Sequence, residues 1–291
     1  MLFVLVSGVS FGFTPIFARL AYSQGIGVDE LLFLRFLFAF LMMGAILAAC
    51  RRLVVPKRSD LAALIVLGAV AYFVEASLYF YSLLYTSVAL ATLLLYTYPV
   101  FVMVGAFLLG WEKISRVLRG AIIISLIGLL LVANPFNNSI GVGVVLALGA
   151  SVMYTAYILG GSKVLRKVDG DIAAFYVMGS ASVSYGLAGA FTGSIRLNWS
   201  FQGWVWTIMI ALVCTVIAVT TFFMGISRIG ASRSALISLV EPVTSILLAL
   251  LLFGNALTAT QWFGGLLILA ATSITALYSD PAPLAEAGGP T

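Results

Sequence analysis

Apolar stretches long enough to cross a lipid bilayer recur from one end of this chain to the other, and they restrict its fold more than any other feature. A helix of about 20 residues spans a hydrocarbon core of roughly 30 Å. With 63% hydrophobic and only 9% charged residues, the composition agrees. A water-facing surface draws on about a quarter charged residues, which this chain does not have. The expected class is an all-α polytopic membrane protein. No segment is long and polar enough to form a separate catalytic or nucleotide-binding domain.

Hydropathy and turn residues place ten helices, near 2–23, 30–50, 60–85, 87–109, 115–133, 140–162, 171–192, 202–226, 232–253 and 258–278. The breaks carry turn chemistry, as in "SQGIG", "NPFNNSIG", "DGD" and "FGNALT". Basic residues alternate between the connecting loops. Arg51, Arg52, Lys57 and Arg58 follow the second span, and Lys113, Arg116 and Arg119 follow the fourth. Lys163, Arg166 and Lys167 follow the sixth, and Arg228 and Arg233 the eighth. The other loops hold Arg19 and Arg196, and Arg35 lies inside a span. By the positive-inside rule both termini are expected in the cytoplasm. The tryptophans, at 111, 199, 204, 206 and 262, fall near span ends, where amphipathic rings favour the interface. The opening "MLFVLVSGVS" lacks a basic n-region and reads as a retained first span. Cys50 and Cys214 read as small buried hydrophobes without a disulfide, and residues 280–291 as a disordered cytoplasmic tail.

The two halves resemble one another. Laying Pro99 on Pro242 brings "TYPVFVMVGAFLLGWE" over "VEPVTSILLALLLFGN", and nearer the start "GVSFGFT" lies over "GASVMYT". Residues 1–135 and 140–279 are therefore expected to form two five-helix repeats. Five is odd, so the second repeat enters the membrane inverted. Inverted repeats build paired gates around a midplane site in many secondary transporters.

At this point the chain resembles a known family. The opening "GVSFGFTPIFARLA", "LLFLRF" around Arg35, and the paired "YTYPV" and "LVEPV" segments are similar to the drug/metabolite transporter superfamily, EamA type. The tyrosine-rich third and fourth spans resemble those of bacterial aromatic amino acid exporters. The resemblance implies an inner-membrane exporter with a central cavity between its halves. One departure is that the first repeat ends in "GWE" at Glu112, where the second has Gly254-Asn255.

The residues exclude several chemistries and favour one. With no histidine and no G-x-x-x-x-G-K-[ST], neither histidine-based catalysis nor ATP hydrolysis is expected. The chain is not expected to be an enzyme, and no cofactor, metal site or nucleic-acid partner is expected. Its expected partners are the bilayer and a small molecule, amino acids among them; the sequence leaves the oligomeric state open, a monomer being plausible.

Arg35, Glu75 and Glu241 are ionisable groups at membrane depth, where such groups face a bundle interior or a wet cavity. On an ideal helix Gly68, Tyr72, Glu75, Tyr79 and Ser82 share one face, as do Ser234, Ser238, Glu241 and Ser245. Ser7, Ser10 and Thr14 make a third polar stripe. For Glu75 two roles stand side by side, a substrate or coupling site and a structural ion pair with Arg35. For Arg35 the structural role is favoured.

Pro99 and Pro242 each remove a backbone donor and free the carbonyl four residues back, on Leu95 and Ser238. Their matched places suggest hinges beside the cavity. Tyr79, Tyr96, Tyr98, Tyr154 and Tyr157 offer flat faces with one hydroxyl each, suited to stacking on an organic substrate. On a continuous helix Tyr96 and Tyr98 point apart, so at most one is expected to face the centre. Gly8/Gly12 and Gly189/Gly193 read as helix contacts.

The expected function is export of amino acids, aromatic and other neutral ones, by alternating access. A drug or sugar-nucleotide transporter of the same superfamily is the alternative, and so is a passive channel. A phosphorylated substrate would call for several cavity cations, and only Arg35 is available.

Overall fold

The computed structural model describes residues 1–109, 116, 120, 123, 124, 127, 128, 131, 141–193, 195, 198–229, 234, 237, 238, 240–254 and 258–278. Among them the regular structure is entirely helical. Six stretches are long and apolar enough to cross a membrane: Leu2–Ser23, Val28–Ala49, Arg58–Tyr85, Val142–Val164, Gly170–Thr192 and Phe201–Arg228. Between 39% and 56% of each is buried inside the protein. The remainder stays apolar and faces outward, as Val183, Phe191 and Phe201 do. An outer surface of that kind needs lipid to cover it. This is a membrane protein.

The individual helices start and stop where local chemistry directs. The first span is two helices, α1 (Leu2–Gly12) and α2 (Thr14–Ser23), with Pro15 in the first turn of α2. α3 (Val28–Ala49) begins where the Glu30 carboxylate accepts the Gly27 N–H at 2.9 Å. The third span runs from α4 (Arg58–Val66) through a π-helical segment, Leu67–Tyr72, into α5 (Phe73–Tyr85). Ser87 caps α6 (Val88–Leu95) by accepting the Leu90 N–H at 3.2 Å. α7 (Tyr98–Leu108) follows after a two-residue break. α8 (Val142–Val164) is unbroken, and α9 (Gly170–Thr192) ends in the left-handed Gly193 at φ 62°. The stretch from Phe201 repeats the design of the one from Arg58: α10 (Phe201–Ala211), a π segment at Leu212–Ile217, then α11 (Ala218–Ile229). α12 (Val240–Phe253) and α13 (Ala259–Tyr278) complete the described part.

The six long stretches coincide with six of the expected spans; the fifth (115–133) and the start of the ninth (232–239) fall largely outside the described residues. The basic residues Lys113, Arg119 and Arg233, Trp111, Glu112, Asn255 and the tail lie outside them as well. The halves interleave: α3 lies along α9, α5 along α8, α1 between α11 and α12, and α6 against α12. Close approach is bought by small residues. A Cβ on Gly12 would meet Thr244 Cβ at 2.5 Å, and one on Gly8 would strike the Val240 side chain. That contact carries α1 onto α12, as the Gly8/Gly12 pairing implies. Gly193 instead serves as a helix cap with nothing within 4 Å of an added Cβ. Cys50 also departs from expectation, lying exposed at the end of α3, whereas Cys214 is fully buried.

Candidate functional site

Proline chemistry shapes the centre of the molecule first. The break before Pro99 releases the helix at Tyr96 and Thr97, so Pro99 begins a new helix instead of kinking a continuous one. On the other half, Pro242 lies in the first turn of α12, and Ser238 just before it is in a turn. The Ser238 carbonyl that Pro242 leaves without its helical donor is claimed by the Tyr96 hydroxyl at 3.1 Å and by the Glu241 N–H at 2.8 Å. The two proline breaks therefore meet across the halves. The first span has a matching break, where the Gly12 carbonyl before Pro15 accepts the Ser245 hydroxyl at 2.9 Å. Pro15 carries the same signal as the other two prolines, but Ala156 stands at its place in the second half. Its partner span, α8, is continuous.

The π segments shape the centre next. Single π turns within α-helices shift the phase of the side chains and occur often at functional sites. Tyr72 ends the first of them, and Cys214 and Thr215 sit within the second. All three bind the Arg35 guanidinium. Nε donates to Thr215 Oγ1 at 2.6 Å, and Nη2 donates to the Cys214 carbonyl at 3.1 Å and to Tyr72 Oη at 3.4 Å. The rings of Phe36 and Phe80 stand 5.0 and 5.2 Å from the guanidinium carbon. The ion pairs among the described residues lie elsewhere, joining Arg52 to Asp169 (3.0 Å) and Asp171 (2.7 Å), and Lys167 to Asp60 (3.9 Å). An Arg35–Glu75 salt bridge is not among them. Polar and aromatic groups hold Arg35 instead.

Between these elements lies a cavity with about 40 Å³ of room for the centres of water-sized molecules. That volume admits a few waters. Its wall combines Thr14, Arg35, Tyr72, Glu75, Tyr79, Tyr154, Tyr157 and Glu241 with Phe11, Ala76, Phe80, Leu95, Val219 and Phe222. Both halves contribute. Of the residues singled out from sequence, Thr14, Tyr72, Glu75, Tyr79, Tyr154, Tyr157 and Glu241 are thus brought together. Ser10, Tyr96, Tyr98 and Ser238 are buried one layer behind.

The aromatic rings form a connected sheet of contacts. Tyr72 stacks on Tyr157 (4.9 Å between centroids), Tyr157 on Tyr154 (5.9 Å), and Tyr154 meets Tyr98 edge-on (4.7 Å). Tyr96 and Tyr98 lie 5.4 Å apart instead of on opposite sides, because the helix break between them cancels the ideal-helix projection. Gly68 leaves its expected stripe for a related reason. The π turn shifts its phase, and it packs on α9, where an added Cβ would strike the Val177 carbonyl and the Ser180 hydroxyl. Phe11, Phe80, Val219 and Phe222 carry no polar signal in the sequence and were not legible as cavity residues.

The site is thus a small chamber at the meeting of two helical halves, lined by a guanidinium, two carboxyls and a tyrosine wall. The EamA-like transporter profile matches residues 1–134 and 141–277. The chain belongs to the EamA-like transporter family. It fits within the drug/metabolite transporter superfamily, as the sequence motifs imply.

The transporter is 29% identical over 276 residues to an uncharacterized transporter of Archaeoglobus fulgidus, covering 93% of this chain and 94% of that one. It is 26% identical over 275 residues to the uncharacterized transporter YcbK of Bacillus subtilis, covering 90% and 88%. A shorter match, 31% identical over 115 residues, is to the solute carrier family 35 member B1 homolog of Drosophila melanogaster, covering 38% of this chain and 34% of that one. One solved crystal structure shares its fold, with a TM-score of 0.67 at 18% identity over 95% of this chain and 96% of the other.

Proposed function

We propose that this transporter exports amino acids, aromatic and other neutral ones, by alternating access around the central cavity. The observation that carries this reading is the content of one small chamber: a guanidinium, two carboxyls and a tyrosine wall. An amino acid has the matching parts, a carboxylate, an ammonium and a side chain. The ammonium goes to Glu75 or Glu241, and an apolar or aromatic side chain lies against Tyr79, Tyr154 and Tyr157. A sugar nucleotide fits less well, since a diphosphate would face two carboxyls with one guanidinium in reach.

Alternation between access states follows from the architecture in the same reading. Ten spans in two inverted repeats, 1–135 and 140–279, would place proline breaks and π turns at related positions of the two halves. Breaks before Pro99 and before Val240, and π segments at Leu67–Tyr72 and Leu212–Ile217, support it. The charge pattern of the loops supports an inner-membrane location with cytoplasmic termini.

The test is transport by purified protein in proteoliposomes with a panel of neutral amino acids, a sugar nucleotide and a lipophilic cation. Saturable phenylalanine flux, competed by other neutral amino acids, is expected. Saturable flux of the sugar nucleotide or the lipophilic cation alone would replace this reading with the corresponding alternative.

A further inference from the structure

We propose that Arg35 is the binding group for the substrate carboxylate, and that the two π segments hold it ready for that task. This deepens the amino-acid reading and rests on it. Arg35 is 2% exposed, yet it lines the cavity. Its Nε and Nη2 donors are engaged by Thr215, Cys214 and Tyr72, while Nη1 has no partner among the described residues. A guanidinium carries its donors in a fixed planar fork, so anchoring one edge aims the other.

The anchoring is directional. The Thr215 hydroxyl commits its proton to the Ile210 carbonyl at 3.0 Å, which leaves its oxygen to accept from Nε. That bond reaches five residues back, the spacing of a π turn, so the local winding sets the position of the acceptor. Tyr72, at the end of the other π segment, accepts from the same Nη2 as the Cys214 carbonyl, at 3.4 Å. Thr215 and Tyr72 are positioning residues.

One further group waits in the same cavity: Tyr157 Oη is buried and makes no hydrogen bond among the described residues, and Tyr157 lines the chamber with Arg35. The Thr14 hydroxyl in the same wall meets the Cys214 thiol. Buried polar groups left unpaired are costly, and such groups mark places where a ligand or water completes the structure. A hydroxyl can donate, so Arg35 and Tyr157 present N–H and O–H donors to one anionic oxygen pair. A carboxylate matches them in charge and size. A doubly charged phosphate would call for more than one cation, and Arg35 is the one that the described cavity wall holds.

The inference separates amino acids from amines. Equilibrium binding to the purified protein is measured with three probes: phenylalanine, phenethylamine (no carboxylate) and 3-phenylpropionate (no amine). Wild type is expected to hold phenylalanine about tenfold or more tightly than phenethylamine, the size expected for a charge-assisted hydrogen-bonded pair. R35Q is expected to abolish that preference while leaving phenethylamine binding unchanged, and R35K to restore part of it. T215V keeps the charge and loosens its anchor, so the preference should fall several-fold. A purely structural role would weaken both ligands equally, and that result in R35Q overturns the proposal. So does an undiminished preference in R35Q, or in T215V should R35Q fail to fold. Failure of wild type to bind either carboxylate probe also overturns it. If 3-phenylpropionate binds in an Arg35-dependent way while phenylalanine does not bind, the carboxylate site stands and the amino-acid reading falls.

Discussion

Tyr79 illustrates what one side chain contributes at the cavity. It sits one turn from Glu75 on α5, and its hydroxyl lies 3.3 Å from Thr92 Oγ1, which fixes the ring against the chamber. Tyr154 does the same from α8, held edge-on to Tyr98. Removing one stacking face costs about 1 kcal/mol, a several-fold effect on an equilibrium. Tyr79→Ala and Tyr154→Ala should therefore raise the apparent KM for phenylalanine several-fold, with a smaller change for threonine. Saturation kinetics in proteoliposomes checks this, and an equal rise for both substrates would argue against an aromatic-selective wall.

The carboxyls make a second prediction. Glu75 and Glu241 are the carboxyl groups of the cavity wall among the described residues. Protonation removes the negative charge that meets an ammonium, so the apparent KM for a neutral amino acid should rise as the pH is lowered. Arg35, Tyr72 and Tyr79 stand around them in the same wall. Glu75→Gln or Glu241→Gln should flatten the pH profile. Profiles parallel to wild type in both variants would remove the carboxyls from this role.

Legibility in the sequence ended where regular helix ended. Tyr72, Glu75 and Tyr79 could be placed together because α5 is regular from Phe73 onward. Gly68 was misplaced because the π turn intervenes, and Tyr96 and Tyr98 because the helix stops between them. The partners of Arg35 were hidden for another reason. Cys214 contributes a backbone carbonyl, and Thr215 lies far along the chain in an apolar run.

At the scale of elements, glycines decide how closely the helices approach. Gly68 packs on the Val177 backbone of α9, where an added Cβ would lie 2.9 Å from Val177 Cα and closer still to the carbonyl. Backbone does not give way as a flexible side chain does. Gly68→Ala should destabilise the protein by about 1–3 kcal/mol through overpacking, read as a lower midpoint of thermal unfolding in detergent. Gly161→Ala is the matched control, since nothing lies within 4 Å of a Cβ at that helical position. It should leave the midpoint unchanged or raise it slightly. An equal loss in both variants would mean that the α5–α9 side of the molecule is looser than the structure has it. The broken spans are the other element-scale feature. α1/α2 and α6/α7 each end one helix and begin another, and Thr14 and Leu95 at these breaks line the cavity.

For the molecule as a whole, the interleaving of the two halves makes the chamber a shared property of both. α1 packs on α11 and α12, and α6 on α12, so no rearrangement of one half leaves the cavity wall intact. Ion pairs tie the segments outside the spans as well. Arg52, just beyond α3, holds Asp169 and Asp171 at the start of α9, and Lys167 approaches Asp60 on α4. Asp171 is buried while Asp169 is exposed, so the bidentate reach of Arg52 closes this end over a partly desolvated carboxylate. In an alternating-access cycle this end must open in one state and close in the other. Substrate exchange reports that cycle most directly. Proteoliposomes loaded with unlabelled phenylalanine are placed in trace labelled phenylalanine, and label uptake is followed in time. An alternating-access exporter of amino acids is expected to give a transient overshoot of label above its equilibrium level, abolished when the internal amino acid is omitted. Monotonic equilibration, at a rate linear in concentration and indifferent to internal substrate, would show a passive pore and contradict it.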